Sequence, residues 1–92
     1  MSIKTFTKQP AETLDYDFDF TDWLSERTDT LLSSVILSDP GISVLSSTNF
    51  GSRVKVFLSG GLTGTKYKIT CRMSTNGGRV KESEFFVAVK DT

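Results

Sequence analysis

Apolar and polar residues alternate with a period of two along most of the 92-residue chain. The alternation is cleanest in residues 14–20, where three aspartates separate four apolar side chains. Those apolar residues are Leu14, Tyr16, Phe18 and Phe20. Because successive side chains of a strand point to opposite faces, this segment predicts a strand with one buried and one solvated face. Residues 21–24 predict a turn or one short helical turn, capped by Thr21 or Asp22.

Five further segments predict strands. They are residues 30–38, 42–46, 53–58, 66–73 and 80–90. Their expected inward residues are Leu31, Val35 and Leu37; Val54, Val56 and Leu58; Tyr67, Ile69, Cys71 and Met73; and Phe85, Val87 and Val89. A change of parity between Val80 and Phe85 predicts a β-bulge. The segment 47–52 is polar except for Phe50 and predicts a loop.

Short spacing between turn signals indicates an all-β fold. Asp39-Pro40-Gly41 and Asn76-Gly77-Gly78 are strong turns, and no stretch keeps a helical apolar period for three turns. We expect one immunoglobulin-like β-sandwich of six to seven antiparallel strands over residues 10–92.

Two local features refine this expectation. Residues 1–9 predict an N-terminal arm, in which Ile3 and Phe6 either add a short strand or pack on a neighbouring protein. Tyr67 starts a late strand after Leu62-Thr63-Gly64-Thr65-Lys66, the arrangement of a tyrosine corner, in which the hydroxyl returns to the backbone upstream.

The charges balance overall but are segregated along the chain. Formal net charge is zero, from 11 basic and 11 acidic residues, which argues against a nucleic-acid partner. Residues 10–39 hold eight acids and one base, whereas residues 50–81 hold seven bases and no acid. Two explanations stay open: the segments neutralise each other inside one sandwich, or they form opposed faces that dock copies head to tail.

The residues that usually carry catalysis are missing or misplaced. The chain has no histidine, so neither its serines nor Cys71 has the usual activating base. Asp15, Asp17 and Asp19, with Glu26, have the spacing of a calcium loop, but Phe20 stands where that loop needs glycine. We therefore expect no catalytic residue, cofactor or metal site. Residues 85–89, the longest apolar run, are too short to span a bilayer, so no membrane partner is expected.

A set of aromatic residues is the candidate for protein contacts. Phe57 and Phe86 have outward parity, and Phe50 lies in the predicted loop. With Phe6 and Trp23 they form the predicted interface set, because exposed aromatics are typical of interfaces. The alternative is that they are isolated exposed residues, which are common on any surface.

Several stretches together carry a family resemblance. They are Lys8-Gln9-Pro10-Ala11-Glu12, residues 14–24, residues 54–61, Gly64-Thr65-Lys66-Tyr67-Lys68-Ile69 and Gly78-Arg79-Val80. In this combination the chain resembles the fibre–tail adaptor family of tailed bacteriophages. The most specific element is the aspartate-alternating strand followed by Asp22-Trp23-Leu24. Cys71 stands where we expect Val or Thr, a departure that affects only packing.

The resemblance implies a virion structural protein without an active site. It would be present in many copies, as a ring or other oligomer, and join tail fibres or appendages to the tail. The implied partners are other phage tail, fibre or neck proteins. A lone cysteine, which excludes an intrachain disulfide, fits assembly in the host cytoplasm. The alternative function is a glycan- or surface-binding immunoglobulin-like module that decorates the virion.

Overall fold

The computed structural model describes residues 4–91, which form seven strands and one short helix. In chain order the elements are β1 (Thr5–Lys8), β2 (Thr13–Asp19), α1 (Thr21–Glu26), β3 (Leu31–Ser38), β4 (Ile42–Phe50), β5 (Arg53–Gly60), β6 (Lys66–Thr75) and β7 (Val80–Val89). One sheet has the order β1-β7-β6-β3 and the other the order β2-β5-β4. We call them the four-stranded and three-stranded sheets. The predicted all-β sandwich is confirmed.

One pair of strands runs parallel, contrary to the expected all-antiparallel arrangement. β1 lies parallel to β7, with Thr5 opposite Phe86 and Lys8 opposite Val89. These strands are far apart in the chain, so no hairpin forces them to be antiparallel. The orders β2-β5-β4 and β7-β6-β3 are those of the B-E-D and G-F-C strands of immunoglobulin-type sandwiches. The immunoglobulin-like assignment itself stays a prediction.

The N-terminal boundary of the domain also stays a prediction. β1 lies within the expected arm of residues 1–9, yet it adds a strand to the four-stranded sheet. Phe6 is the arm residue that packs against the core, and Ile3 lies outside the described residues.

The core forms where alternate side chains of the central strands meet. Its fully buried members are Val54, Val56 and Leu58 of β5, Ile69, Cys71 and Met73 of β6, and Val87 and Val89 of β7. These inward residues are as predicted. Aromatic rings close one side of the core, where the Phe18 and Phe85 ring centroids lie 4.8 Å apart. Burial of each such side chain contributes roughly 1.5–3 kcal/mol.

The predicted inward face of β3 is wrong. Val35 and Leu37 point outward and are 56% and 42% exposed, whereas Leu31 and Ile36 pack against the core. The cause is a register shift between Leu31 and Ser33, which reverses the parity of the strand. Leu31 and Ile36, which have opposite parity in sequence, thereby reach the same face.

Three other local predictions are also wrong. Residues 47–50 are not a loop but the second half of β4, an edge strand with a shift between Val44 and Ser46. An edge strand exposed on both faces needs no apolar alternation. The β6–β7 register is continuous, so the expected bulge in β7 is absent, and Val80 simply faces solvent. The N-cap of α1 is Phe20, while the Asp19 carboxylate accepts from the Thr21 N–H at 2.9 Å.

Lys8 is a fully buried cation at the end of β1. Its Nζ donates to the carbonyl oxygens of Gly60 at 2.7 Å and of Gln9 at 2.8 Å, with Pro10 at 3.4 Å. Burial lowers the pKa of the Lys8 ammonium, an effect that the charge of Glu12 opposes. The ammonium ties the β1–β2 connection to the end of β5.

Tyr67 lies at the same end of the core as Lys8, between two glycines. The Leu62 N–H donates to the Tyr67 hydroxyl at 2.9 Å, five residues upstream. A Cβ on Gly41 would lie 3.0 Å from the Tyr67 ring, and one on Gly61 would lie 2.7 Å from a methyl of Val89. Both glycines have positive φ, so side chains there are excluded by space and by backbone conformation.

The two tyrosines of the chain give a matched test of this geometry. Tyr67→Phe removes the hydroxyl that accepts from Leu62, and we expect the free energy of unfolding to fall by about 1 kcal/mol. The buried Tyr16 hydroxyl has no partner among the described residues. Tyr16→Phe is therefore expected to be neutral or stabilising. Urea unfolding followed by tryptophan fluorescence measures both. Equal losses in the two variants would contradict the assignment.

Candidate interaction surfaces

The five residues of the predicted interface set do not lie on one surface. Phe6 sits inside an aromatic cluster, with its ring centroid 5.0 Å from that of Tyr16 and 5.3 Å from that of Phe85. Its inward position on β1 explains this, because Phe6 is paired with the fully buried Val87. Burial raises the pKa of the neighbouring Tyr16 hydroxyl, as do the nearby acids Glu12 and Asp15. Phe6 therefore packs within the sandwich.

Trp23 covers the end of the sandwich at α1. It is half-buried and packs against the core, while the Arg27 guanidinium lies 4.5 Å and the Lys81 ammonium 5.7 Å from its ring. Arg27 also donates to the Trp23 carbonyl at 3.1 Å. Cations at this range are attracted to the face of an indole ring, so these two contacts hold the ring in place.

The other three aromatics lie on the outer faces of opposite sheets. Phe86 is on the four-stranded sheet, half-buried, with the Lys66 ammonium 5.1 Å from its ring. Phe50 and Phe57 are on the three-stranded sheet and are 45% and 39% exposed. Phe50 is paired with Arg53, and Phe57 with Asp15 and Ser46.

The outer face of the three-stranded sheet is arranged in three rows. The β2 row is acidic, the β5 row alternates cations with Phe57, and the β4 row is Ser, Thr and Phe50. Leu45, unpaired at the register shift of β4, is 58% exposed beside them. We call Leu45, Phe50 and Phe57 the apolar face of this sheet. It brings together two residues of the predicted set, Phe50 and Phe57.

Three ion pairs within the sandwich neutralise part of the segregated charge. Asp19 lies 3.6 Å from Arg53, Asp15 lies 3.6 Å from Lys55, and Asp29 lies 2.8 Å from Arg79. Each pair joins the acidic segment to the basic one. The first two follow from the β2–β5 register, since charges on paired strands face the same side. The structure thus supports internal neutralisation over opposed docking faces.

Asp29 is the most elaborately bound of these acids. Its carboxylate accepts from Arg79 Nη1 at 2.8 Å, the Thr30 N–H at 2.8 Å and the Gly77 N–H at 3.0 Å. Hydrogen bonds lower the pKa of the Asp29 carboxyl to about 2, and the bond from the Thr75 hydroxyl has the largest effect. A Cβ on Gly77 would lie 2.7 Å from the carboxylate and 2.8 Å from Arg79 Nη1, so a side chain there would push this pair aside. Asp29 thus fixes the α1–β3 connection to the β6–β7 hairpin.

No group suited to catalysis is assembled in the described part of the chain. Burial raises the pKa of the Cys71 thiol to about 12, so the thiolate that would react is suppressed. Within residues 4–91, no three His, Cys, Asp or Glu side chains come together as a set that could hold a metal ion. The helix α1, six residues long, is far too short to cross a bilayer.

The sequence of this sandwich matches a known protein family. A model of the family described as Podophage GP4 fiber-tail adaptor protein gp77 matches residues 8–88. The chain belongs to this family. A search of curated proteins finds no matching relative. Membership in the adaptor family gives the chain a structural role in the phage tail, and such adaptors are not normally enzymes.

Sequence reasoning missed one apolar surface of this adaptor-family chain. Val35 and Leu37 of β3 were expected in the core, yet both face solvent at the edge of the four-stranded sheet. The signal was the run Val35-Ile36-Leu37, which is apolar at both parities and so leaves the inward residue ambiguous. Leu32, at the register shift, is exposed beside them.

The Asp29 cluster predicts a pH dependence of stability. Because the folded-state pKa of about 2 lies below the ordinary 3.8, the ionised carboxylate stabilises the fold above pH 3.8. That contribution is lost as the pH falls toward 2. We expect Asp29→Asn to lower the urea midpoint at pH 7 and to differ less from wild type at pH 2. Glu26→Gln, an exposed acid of α1, controls for net charge. An equal deficit at both pH values would reject the cluster's role.

Proposed function

We propose that this protein is a non-enzymatic structural component of the phage tail that joins tail fibres or other appendages to the tail. The match of residues 8–88 to the fibre–tail adaptor family carries the proposal. It would act through protein–protein contacts with other tail, fibre or neck proteins. The described residues support this role, because their buried interior is occupied by apolar packing rather than by reactive groups.

Multiple copies in the virion tail and assembly in the host cytoplasm are parts of this proposal. The chain's single cysteine is fully buried, so the fold needs no disulfide and is suited to a reducing compartment. A sandwich of this size has modest stability of its own, and contacts with partners that bind only the folded state would add to it.

We place the contact with a fibre or tail protein on the apolar face of the three-stranded sheet. Phe50 and Phe57 are exposed, aromatic and on the same side of two paired strands. Large aromatics of this kind are enriched among residues that dominate binding energy. Lys55 lies between them on β5, with its ammonium 5.7 Å from the Phe50 ring and 3.6 Å from the Asp15 carboxylate, so its charge is already paired within the chain.

The alternative, a glycan- or surface-binding decoration module, would favour exposed aromatics grouped at one loop end. Phe50 instead ends a strand on a sheet face, and Trp23 is half-buried beneath Arg27. This arrangement favours the adaptor. A glycan array separates the two functions, since selective glycan binding by the isolated protein would support the alternative.

Particle assembly tests the adaptor role directly. Phage lacking the gene, grown in cells that supply no copy, should yield tails without fibres, and the wild-type chain should restore them. Electron microscopy of the particles counts the fibres. Tails that carry a full set of fibres without the protein would reject the role.

Face-directed variants test the proposed contact. The double variant Phe50→Ser, Phe57→Ser should fold, because both side chains are exposed, but bind its partner about thirtyfold more weakly or worse. Complementation should then yield few fibres. Phe86→Ser, on the outer face of the other sheet, is the matched control and should restore them. Normal fibre numbers with the double variant, or loss with the control, would place the contact elsewhere.

A further inference from the structure

β3 is a free edge of the four-stranded sheet. It is bonded to β6 on one side and stands last in the strand order. In an antiparallel ladder, each residue directs both its N–H and its C=O toward the same neighbouring strand, and successive residues alternate between the two sides. The N–H and C=O groups of every second residue of β3 therefore point away from β6. Such a row of unpaired N–H and C=O groups is a template for another strand.

The sandwich protects its other edges in ways that the regular part of β3, Ser33–Ser38, lacks. β1 is only four residues long, β2 carries an aspartate at every second position, and β4 is interrupted by a register shift within its polar sequence. Short length, charge and bulges are the usual means of blunting an edge. Residues 30–38, by contrast, contain no charged side chain, and two of their exposed residues are Val35 and Leu37.

We infer that β3 pairs antiparallel with β3 of a second copy of this chain, about a twofold axis, so that the two four-stranded sheets become one continuous sheet. In such a pairing one residue must lie opposite its own copy. The regular part of β3 is Ser33–Ser38, beyond its register shift. Centring the axis on Ile36 keeps five residues of each copy within that regular part.

The pattern of β3 is complementary to itself in this register. Ile36 lies opposite Ile36 of the second copy, Val35 lies opposite Leu37, and Ser34 lies opposite Ser38. Apolar residues therefore meet apolar residues on both faces, and serine meets serine. Such cross-strand pairs are the unit of sheet stabilisation.

Charge favours a second copy as the occupant. Pairing of a strand with its own copy brings any charge near the twofold axis close to the same charge of the second copy, but β3 has no charge to repel. On β6, the strand beside it, Arg72 and Lys68 are already paired with Glu82 and Glu84 of β7. At the far end, the Asp39 carboxylate accepts from the Lys68 N–H at 2.8 Å within its own chain.

Sedimentation velocity of the whole chain tests the pairing. We expect a monomer–dimer equilibrium whose dissociation constant changes little between low and high salt, because no charge is involved. Val35→Lys should raise that constant about tenfold or more, since each dimer loses two cross-strand pairs and gains two nearby cations. Val80→Lys is the matched control: it lies on the same sheet, is 63% exposed, and belongs to an interior strand. It should leave the constant unchanged.

Cysteine cross-linking tests the register. Val35→Cys and Leu37→Cys lie opposite each other across the axis, within the Cα separation that a disulfide spans. An oxidised equimolar mixture of the two variants should yield more covalent dimer than either alone. The native Cys71 is fully buried and should not interfere. A mixture of Leu37→Cys with Val80→Cys should not cross-link.

Several outcomes would overturn the inference. The first is a wild-type chain that stays monomeric up to about 1 mM. The second is a dimer whose dissociation constant does not change with Val35→Lys. The third is a yield of covalent dimer that is the same wherever the cysteines are placed. If the monomer persists and Val35→Lys instead weakens binding to purified tail or fibre proteins, the edge belongs to another protein. The adaptor role is decided separately by fibre counts, so either proposal can fail alone.

Discussion

Side chains from two sheets meet between β5 and β6, and alternate residues in the middle of these strands are buried without remaining exposure. That contact requires two sheets, and two open sheets have four edges. In this chain the edges are β1 and β3 of one sheet and β2 and β4 of the other. More than half of the strands therefore keep an unpaired side. A small sandwich of this kind must either protect its edge strands from pairing with other chains or use them for binding. The regular part of β3 is the edge that the sequence leaves unprotected.

Polar contacts fix the ends of the sandwich, where the sheets alone do not close it. Lys8 ties the β1–β2 connection to Gly60 through an ammonium whose hydrogen bonds within residues 4–91 all go to carbonyl oxygens. Asp29 holds the β6–β7 hairpin, and Tyr67 holds the loop before β6. Lys8 and Tyr67 are placed by their strands and Asp29 by the α1–β3 connection, and each bonds to backbone atoms of another part of the chain. Such contacts are stringent, because leaving one partner buried and unpaired costs about 1–3 kcal/mol.

Sequence reasoning identified the inward residues of β2, β5 and β6 and failed in β3 and β4, whose registers shift. β5 and β6 alternate strictly because each is covered on one face by the core and on the other by water, with no freedom to slip. In β3 and β4, a single inserted residue reverses the parity, and nothing in the local sequence marks where the insertion falls. The burial of Lys8 was also hidden, since its position depends on carbonyl oxygens at Gly60, 52 residues away. The residues of the predicted interface set lie on different parts of the molecule for the same reason, because Phe6 and Trp23 are covered by residues of the same chain that are distant in sequence.

An adaptor must contact at least two bodies, which requires two surfaces that can be occupied together. The exposed ion pairs of this sandwich contribute little stability, about 0–1 kcal/mol each, but they use up charges that would otherwise repel or misdirect a partner. The exposed apolar side chains include Phe50 and Phe57 on one sheet, and Val35 and Leu37 at the edge of the other. Because these surfaces belong to different sheets, occupation of one need not displace the other. Pairing through β3 would present two copies of the Phe50–Phe57 face per dimer, and a partner that binds both would be held more tightly than by either alone.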